Sequence, residues 1–317
     1  MKKIAILTRD CAGVNAAIRS IVRTAERYNI ETVGVLRGYS GLIDEEFIKL
    51  NHRSVSGIIN QGGTILKTSR CERFFEEEHQ RRAVKNIVDK EIDGLIVVGG
   101  NGSLTGAHVL ASKYGMPVVG IPATIDNDIN GVDLAIGVDT AVNVALDALD
   151  KIRDTATSLE RIFIVEVMGR DCGYLALQVA LAGGCEEVLV PEKDIDLNEM
   201  CINISEGNKK GKVSWIIIVA EGRARADDVA SLIENKLGLE TRVAVLGHIQ
   251  RGGRPTATDR ILASKFGNYA VDVLKNGESD CCVTILDDNL SIIPLDVAIE
   301  RKQIDVESYY SLIKILT

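Results

Sequence analysis

The chain has 317 residues, 46% of them hydrophobic, and its 45 acidic and 37 basic residues give a net charge of -8. This composition predicts a soluble globular protein with a substantial core, and it argues against disorder and against nucleic acid as a partner. A phosphorylated ligand would need basic groups gathered at one place. The seven cysteines lack the paired spacing of metal ligands, so neither a zinc site nor a disulfide framework is expected.

The apolar runs are too short for a secretory or membrane role. Residues 4–7 are soon followed by charge and cannot form the apolar region of a signal peptide. The strongest apolar run, residues 215–220, has the length of a buried strand. It cannot cross the roughly 30 Å of hydrocarbon in a bilayer. We therefore expect a cytoplasmic protein with no membrane partner.

Short apolar runs rich in β-branched residues alternate along the chain with longer segments of helical period. This order predicts an α/β fold with largely parallel sheets, and the number of strands favours two lobes. The expected strands are residues 3–7, 32–36, 94–98, 118–121, 162–167, 187–190, 215–220 and 242–246. The expected helices are residues 14–28, 76–90, 103–114, 140–157, 172–181, 198–209, 226–237 and 258–275. Ligands of such sheets bind at the carboxyl ends of the strands, so the polar loops there are expected to converge on one cleft.

Two carboxylates follow the predicted strand 118–121. Asp126 and Asp128 alternate along an extended segment, so both side chains can face the same way. An Asp in this position can accept the proton of a hydroxyl during phosphoryl transfer, and Thr124 can hydrogen-bond the transferring oxygens. The alternative is an Asx turn that caps the next segment. By itself the pair does not decide between these two interpretations.

A glycine-rich loop, Gly99–Ser103, follows the predicted strand 94–98 and precedes a predicted helix. Small residues and free N–H groups at a helix N-terminus are typical of an anion site. The alternative is a tight turn capped by Ser103. The loop is neither a Walker A motif nor a GxGxxG motif, so it does not identify a nucleotide. Within it, Asn101 stands where magnesium-phosphate chemistry favours a carboxylate.

Basic side chains are concentrated around two predicted strands. Arg161 and Arg242 begin strands 162–167 and 242–246, and Arg170, His248 and Arg251 follow them. Guanidinium groups match phosphate oxygens, and a histidine adds a donor of adjustable charge. Each residue singly is typical of a solvated surface, but together they favour a shared anion site.

Other charged residues are less informative by position alone. Glu221 follows strand 215–220 and is either a hydrogen-bond partner for a sugar hydroxyl or an ordinary loop carboxylate. Arg19 and Arg23 lie one helical turn apart and would share a face. Without further information, a solvated surface is the favoured interpretation for these two and for Arg153, Lys210 and Lys212.

Several longer segments together resemble bacterial 6-phosphofructokinases. They are Pro122–Asp128, Val165–Arg170, Leu246–Gly253, Asn15–Arg19 and Asp259–Ser264, and the resemblance covers nearly the whole chain. It implies a phosphofructokinase-like α/β fold of two Rossmann-like three-layer lobes with mainly parallel sheets. The larger, donor-side lobe would comprise residues 1–138 plus 250–300. The smaller, sugar-phosphate-side lobe would comprise residues 139–249 plus 301–317.

On the acceptor side, the resemblance implies that fructose 6-phosphate binds between the lobes. Asp126 would be the base for its 1-hydroxyl, and Thr124 and Arg170 would complete the catalytic set. The other residues implied at the sugar phosphate are Asp128, Arg161, Met168, Gly169, Glu221, Arg242, His248 and Arg251. Arg161 and Arg242 would come from a neighbouring subunit, which implies an oligomer, usually a tetramer in this family.

The donor side matches the family only in part. The nucleotide-binding positions retained are Tyr39, Arg70, Gly102, Ser103 and Gly106. The loop Thr8–Gly13 is two residues shorter than its counterpart and lacks both glycines, and Phe75 replaces an Arg. At Asn101 the family has an Asp that binds magnesium. Pyrophosphate-type members carry Asp at the position of Gly102 and Lys at that of Ala123, so the resemblance implies ATP, with Mg²⁺, as the donor.

The resemblance also implies an effector site for ADP or phosphoenolpyruvate between subunits. Its residues would be Arg19, Arg23, Arg153, Glu186, Lys210 and Lys212. His52 and Gly57 depart from the family pattern, which leaves the effector open.

These matches and departures support different functions. The first hypothesis is an ATP-dependent 6-phosphofructokinase of glycolysis, acting as a homotetramer. The second is a weak or inactive sugar-phosphate-binding subunit, regulatory in role, that forms a hetero-oligomer with an active paralogue. An intermediate version is a slow enzyme in which Arg9 compensates for the lost phosphate cradle. A different donor or phosphosugar also stays open, because a fold does not determine a substrate.

Overall fold

The computed structural model describes residues 1–286 and 288–317, and its strands include all eight that the apolar runs predict. The strands are β1 (Lys3–Thr8), β2 (Glu31–Val35), β3 (Phe47–Leu50), β4 (Gly94–Gly99), β5 (Val118–Pro122), β6 (Ile162–Val167), β7 (Glu187–Leu189), β8 (Trp215–Ala220), β9 (Thr241–Val245), β10 (Cys281–Leu286) and β11 (Asn289–Pro294). Three of them were not predicted: the short strand β3 and the hairpin β10–β11.

All eight predicted helices are present too, with ends shifted by a few residues. The helices are α1 (Val14–Arg27), α2 (Tyr39–Ile43), α3 (Glu77–Asp89), α4 (Asn101–Tyr114), α5 (Val138–Leu159), α6 (Tyr174–Gly183), α7 (Leu197–Lys209), α8 (Ala226–Leu237), α9 (Ala257–Lys275), α10 (Leu295–Ala298) and α11 (Val306–Leu316). Helices α2, α10 and α11 were not predicted. No helix among the described residues combines the length and the apolar character that a membrane crossing requires.

The chain divides into two compact units. The first comprises residues 1–124, 128–140 and 251–302, and the second comprises residues 125–127, 141–250 and 303–317. Both are α/β with largely parallel sheets, as the alternation of elements predicts. Which unit serves a phosphoryl donor and which serves a sugar phosphate stays a prediction.

The first unit is built on a seven-stranded sheet in the order β11-β10-β5-β4-β1-β2-β3. Strands β10, β5, β4, β1 and β2 run parallel, while the edge strands β11 and β3 run antiparallel to their neighbours. The central strands β1 and β4 are apolar and buried on both faces, because helices cover both sides of the sheet. Leu7, Leu95 and Leu104 belong to one buried cluster, and each such side chain contributes roughly 1.5–3 kcal/mol through burial.

Strand register in the first unit brings three loops to one edge of the sheet. Thr8 pairs with Val98, and Gly99 pairs with Pro122, so β1, β4 and β5 end side by side. Backbone hydrogen bonds continue this alignment just beyond the strands, from Arg9 N to Val98 O (2.9 Å) and from Ala123 N to Gly99 O (3.0 Å). The loops that follow these strands therefore lie next to one another.

The second unit contains a parallel four-stranded sheet in the order β7-β8-β6-β9. Strands β6 and β8 lie inside it, and their buried residues pack with α7 and α8 in one cluster that includes Ile164, Ile217 and Ile233. The pairing of Ile162 with Thr241 aligns the starts of β6 and β9. The residues flanking these two starts are therefore neighbours.

Candidate functional site

Asp126 and Arg170 form the most suggestive pair in the second unit. The Asp126 carboxylate is buried, and its Oδ2 lies 3.5 Å from Nε of Arg170. The Arg170 side chain is 58% exposed, so the cation reaches the buried acid from the solvent side. An adjacent cation favours the charged form of a carboxylate, whereas burial disfavours it. The pair therefore places a shielded carboxylate beside a guanidinium that is still accessible to a ligand.

The loop that carries Arg170 is held by backbone contacts. Glu221 Oε1 accepts hydrogen bonds from Arg170 N (3.0 Å) and Gly169 N (3.3 Å), and Gln250 Oε1 accepts one from Met168 N (2.9 Å). Gly169 and Arg170 both have positive φ, 142° and 52°. The carboxylate of Glu221, expected at a sugar hydroxyl, thus also fixes the main chain on which Arg170 stands.

Gly222 is required by the same loop. A Cβ at this position would lie 1.8 Å from the carbonyl oxygen of Arg170, a distance that no side chain can occupy. The close approach explains why β8 is followed by Glu221 and then glycine. Only a residue without a side chain lets the Met168–Arg170 loop pack against the end of this strand.

Arg161 and Arg242 lie at the aligned starts of β6 and β9 and share one counter-ion. Arg161 Nη2 is 2.8 Å from Glu240 Oε2, and Arg242 contacts the other oxygen of Glu240. Arg242 Nη1 also donates to the carbonyl of Thr241 (2.7 Å). These ion pairs are partly exposed and contribute little to stability, so the two guanidinium groups can exchange Glu240 for a phosphate.

His248 and Arg251 belong to a single 3₁₀ turn, Gly247–Arg251. His248 is exposed, whereas Gln250 between them is fully buried. Arg251 Nε is buried and has no hydrogen-bond partner among the described residues. The turn therefore carries one exposed imidazole and one guanidinium with an unused donor, which is suited to an anion.

In the first unit, four of the five predicted nucleotide residues, Tyr39, Gly102, Ser103 and Gly106, lie in or against the first turns of α4. The helix begins at Asn101 after Gly100, and Tyr39 donates its hydroxyl to the carbonyl of Ser103 (2.6 Å). A Cβ on Gly106 would lie 2.6 Å from the Tyr39 ring, so glycine is needed for this contact. Burial raises the pKa of Tyr39, so its hydroxyl remains a donor. A Cβ on Gly102, by contrast, would meet no other atom, which leaves that side of the helix start open.

Arg9 follows β1 and bends over the glycine-rich loop. Its Nη1 donates to the carbonyl of Ser69 (2.8 Å), the residue before the exposed Arg70. A Cβ on Gly99 would lie 3.0 Å from Cγ of Arg9. The loop after β1 thus places the aliphatic stem of Arg9 close to Gly99 at the end of β4, while the guanidinium is held by the carbonyl of Ser69.

Thr124 lies against the same loop from the side of β5. Its backbone N–H donates to Ile136 O (3.0 Å), and a Cβ on Gly100 would be 3.3 Å from its own Cβ. The Thr124 hydroxyl is therefore positioned beside the backbone that leads into α4.

Asn101 and Asp128 are joined by a direct hydrogen bond. Asn101 Nδ2 donates to Oδ2 of Asp128 (2.7 Å) and to its carbonyl oxygen (3.1 Å). The remaining oxygens, Oδ1 of each residue, are buried and have no hydrogen-bond partner in the described part of the chain. Carboxylate and amide oxygens are ligands that Mg²⁺ and Ca²⁺ accept, so the donor set fits a divalent cation although it carries only one formal charge.

The residues expected at an effector site fall into two groups. In the second unit, Lys212 Nζ lies 3.1 Å from Glu186 Oε1 and 4.7 Å from the centre of the Trp215 ring, while Arg153 donates to the carbonyl of Gly184 (3.0 Å). Lys210 is exposed nearby in sequence. In the first unit, burial and the neighbouring Arg23 lower the pKa of Arg19, which shows that these two cations are close.

Sequence reasoning missed three residues that organise these groups: Glu240, Gln250 and Asp259. Asp259 is fully buried and accepts from Gly137 N and Thr140 N, both at 2.8 Å, at the start of α5. Its place in the matching segment Asp259–Ser264 was the available signal for its importance. For Glu240 and Gln250 the signal was their position beside Arg242 and His248.

Comparison with known proteins gives a consistent result over most of the chain. A family model described as phosphofructokinase matches residues 3–274. The ATP-dependent 6-phosphofructokinase of Thermotoga petrophila is 51% identical over 312 residues, covering 98% of this chain and 98% of that protein. The enzyme of the same name from Clostridium acetobutylicum is 50% identical over 301 residues, covering 94% of each.

Solved structures agree on the fold. The phosphofructokinase of Saccharomyces cerevisiae superposes with a TM-score of 0.88 at 34% identity, and the match covers 94% of this chain. The chain spans 45% of the length of that yeast chain.

Proposed function

Because the chain belongs to the phosphofructokinase family, we propose that it transfers the γ-phosphoryl group of ATP to the 1-hydroxyl of fructose 6-phosphate in glycolysis. The observation that carries this proposal is the buried Asp126 carboxylate beside the accessible Arg170 guanidinium, within a chain similar over its full length to enzymes of this name. No relative reported above favours the alternative of an inactive paralogue. We place the enzyme in the cytoplasm, with the rest of that pathway.

In the proposed reaction, Asp126 accepts the proton of the 1-hydroxyl as its oxygen attacks the γ-phosphorus. The new O–P bond forms while the bond to the β-phosphate oxygen breaks, and ADP leaves. Arg170 stabilises negative charge on the phosphoryl group in transfer, and Thr124 donates a hydrogen bond to the same group. The proton then passes from Asp126 to solvent.

We propose that the cations of the second unit and the Gly247–Arg251 turn bind the 6-phosphate of the sugar. His248 and Arg251 would act in the same chain, and Arg161 and Arg242 would reach the site of a neighbouring subunit in a homotetramer. Glu240 supports this role, because its single carboxylate is ion-paired with both guanidinium groups. The two arginines can therefore hold one anion together. Asp128, Met168, Gly169 and Glu221 are proposed contacts of the sugar.

For the donor, we propose ATP bound at the start of α4 by Arg70, Gly102, Ser103 and the Tyr39–Gly106 contact. The open space at Gly102 supports a nucleotide that approaches the backbone closely. Arg9 would add a positive charge to a loop that lacks the family glycines. Magnesium accompanying ATP would neutralise charge on the donor phosphates, and Asn101 and Asp128 carry the candidate ligands.

Asp126→Asn tests the proposed activity. A coupled assay with fructose 6-phosphate, ATP and Mg²⁺ should show turnover in the wild type and a loss of about 10²–10⁴-fold in the variant, because the base is removed. Asp171→Asn is the matched control, since it removes the exposed carboxylate that follows Arg170 in the same loop. Wild-type turnover no higher than that of Asp126→Asn would sink the proposal.

We also propose an effector site for ADP or phosphoenolpyruvate between neighbouring subunits, to which different subunits contribute the residues Arg19, Arg23, Arg153, Glu186, Lys210 and Lys212. The Glu186–Lys212 pair on the Trp215 ring supports a site that combines charge with an aromatic surface. Titration of either anion, followed by Trp215 fluorescence, tests it, because Trp215 is the single tryptophan of the chain.

A further inference from the structure

Three consecutive backbone N–H groups follow strand β6, and side chains accept a hydrogen bond from each of them. Gly169 N and Arg170 N donate to Glu221, and Met168 N donates to Oε1 of Gln250 (2.9 Å). Arg170 has a positive φ of 52°, a conformation that a residue with a side chain rarely adopts. The loop therefore keeps its shape because side chains from other elements hold its backbone.

Gln250 reaches this loop from the 3₁₀ turn Gly247–Arg251. Its side chain is fully buried, whereas His248, two residues earlier in the same turn, is exposed. The turn is therefore anchored in the interior by one residue and open to solvent at another. Through Gln250, the turn proposed to bind the 6-phosphate is joined directly to the loop that carries Arg170.

The orientation of the Gln250 amide follows from this contact. Met168 N is a donor, so the atom facing it must be the amide oxygen, because a rotated amide would place two donors against each other. Nε2 therefore points elsewhere; it is buried and has no hydrogen-bond partner among the described residues. A buried donor without an acceptor is destabilising, so stability alone does not explain a glutamine at this position. An apolar side chain of similar length would avoid that penalty.

Resting on the proposed function, we propose that Gln250 is a positioning residue, which aligns the Arg170 guanidinium with Asp126 from the turn that binds the 6-phosphate. Gln250 is too deeply buried to meet the substrate itself. Its Oε1 fixes Met168 N, two residues before Arg170, whose Nε lies 3.5 Å from Asp126 Oδ2. The phosphate-binding turn and the guanidinium that stabilises the transferring group are thereby held in one arrangement, which suits a sugar that carries its phosphate at the far end.

Gln250→Met tests this role, because methionine has a similar length and offers Met168 N no strong acceptor. The exposed phosphate contacts of the turn remain, so the KM for fructose 6-phosphate should change by less than about threefold. The kcat should fall by about 10–10²-fold, since a displacement of about 1 Å in a catalytic group can have that effect. Tm should stay within about 3 °C of the wild type, because the substitution removes one hydrogen bond and also one unmatched buried donor. Coupled assays and thermal unfolding measure these values.

Gln250→Glu is the conservative variant and should restore most of the activity. It keeps an oxygen for Met168 N, and a carboxylate accepts from a backbone N–H at least as well as an amide does, so kcat should stay within about threefold of the wild type. The matched control is Gln178→Met, which removes a glutamine hydrogen bond to Tyr309, between α6 and α11 of the same unit. Its kcat should equal that of the wild type.

A double-mutant cycle with Arg170→Ala shows whether Gln250 acts through Arg170. If it does, adding Gln250→Met to a protein that already lacks the guanidinium should lower kcat by less than about twofold further. A residue with a purely structural role would lower kcat by the same factor in both backgrounds. That result, or a kcat of Gln250→Met equal to the wild-type value, would overturn the proposal.

Amide hydrogen exchange measured by mass spectrometry separates this outcome from that of the proposed activity. Peptides containing residues 168–170 should exchange faster in Gln250→Met than in the wild type, and at the wild-type rate in Gln250→Glu. If exchange responds in this way but the wild type phosphorylates no fructose 6-phosphate, the anchoring by Gln250 is supported and the proposed activity is wrong. If the wild type is active while exchange and kcat are unchanged in Gln250→Met, the activity is supported and the positioning role is wrong.

Discussion

Arg9 lies in the loop after β1, where the sequence departs from the family pattern on the proposed donor side. The guanidinium is tied to the carbonyl of Ser69 and its stem packs over Gly99. A charge held next to a phosphate-binding loop can replace some of the backbone N–H groups that a shortened loop no longer offers. Such a charge would act on the nucleotide and not on the sugar.

Arg9→Ala should therefore raise the KM for ATP by about tenfold or more, since a hydrogen bond to a charged group contributes roughly 1.5–3 kcal/mol. The KM for fructose 6-phosphate should change by less than about twofold. Steady-state kinetics with each substrate varied in turn measures both values, and Arg27→Ala at the exposed end of α1 is the control. A KM for ATP equal to that of the wild type would show that Arg9 does not contribute to nucleotide binding.

At this scale the sequence selected candidate residues but did not indicate their hydrogen-bond or ion-pair partners. Asp126 and Arg170 could be selected because they stand in long segments that resemble a known family. The bond between Asn101 and Asp128 could not be predicted, because it joins side chains 27 positions apart whose approach depends on the ends of β4 and β5. Likewise, nothing in the order of residues shows that Glu240 binds both Arg161 and Arg242.

The N-terminus of helix α5 is capped by a carboxylate from another helix. Asp259 of α9 accepts from the backbone N–H groups of Gly137 and Thr140, and also contacts the Thr140 hydroxyl. Burial raises the pKa of Asp259 above its usual 3.8, although these hydrogen bonds act in the opposite direction. The N-terminus of α5 is thus capped by a side chain distant in sequence.

Asp259→Asn should destabilise the protein by about 1–3 kcal/mol, because an amide cannot accept at both positions. A carboxyl with a raised folded-state pKa contributes stability that is fully present below its unfolded pKa and is lost as pH rises through the folded value. The deficit of the variant relative to wild type should therefore be larger in mild acid than near neutrality. Urea unfolding of both proteins at a series of pH values measures this difference in the free energy of unfolding.

The control for this prediction is Asp147→Asn on α5. Asp147 is 73% exposed and ion-paired with Lys151 on the surface, so its loss should change stability by less than about 0.5 kcal/mol. A deficit of Asp259→Asn that grows as pH rises would contradict the stated direction of the pKa shift.

Three of the elements that escaped prediction did so for two physical reasons. Strand β3 and helix α2 have four and five residues, too few for a periodic pattern to be distinguished from chance. Helix α11 has a sequence rich in aromatic and β-branched residues, which by propensity favours a strand. Packing overrides that preference: Tyr309 accepts from Gln178 of α6, and Tyr310 donates to the backbone of Val188.

For the whole molecule, the decisive question is whether Arg242 acts in its own chain or in a neighbour. If the protein forms the proposed tetramer and a neighbour supplies Arg242, inactive Asp126→Asn protein that is dissociated and reassembled with Arg242→Ala protein should regain activity. Some sites of the hybrid would then combine a native Asp126 with a native Arg242. Coupled assays before and after reassembly measure the recovery.

The control for this experiment mixes two variants whose substituted residues belong to the same site of one chain. Asp126 and Arg170 are 3.5 Å apart in the same chain, so a mixture of Asp126→Asn with Arg170→Ala creates no intact site. No recovery is expected there. Recovery in both mixtures, or in neither, would show that Arg242 does not serve a neighbouring subunit.

The two outer strands of the seven-stranded sheet also bear on how the chain avoids aggregation. A strand with unpaired backbone groups is a template on which another chain can add. Here β3 is only four residues long and carries the exposed Lys49, while β11 ends in Pro294, which has no N–H to donate. The two edge strands therefore offer another, partly folded copy of the chain only a short and interrupted row of unpaired backbone groups. A broad sheet can in this way remain confined to one molecule during folding.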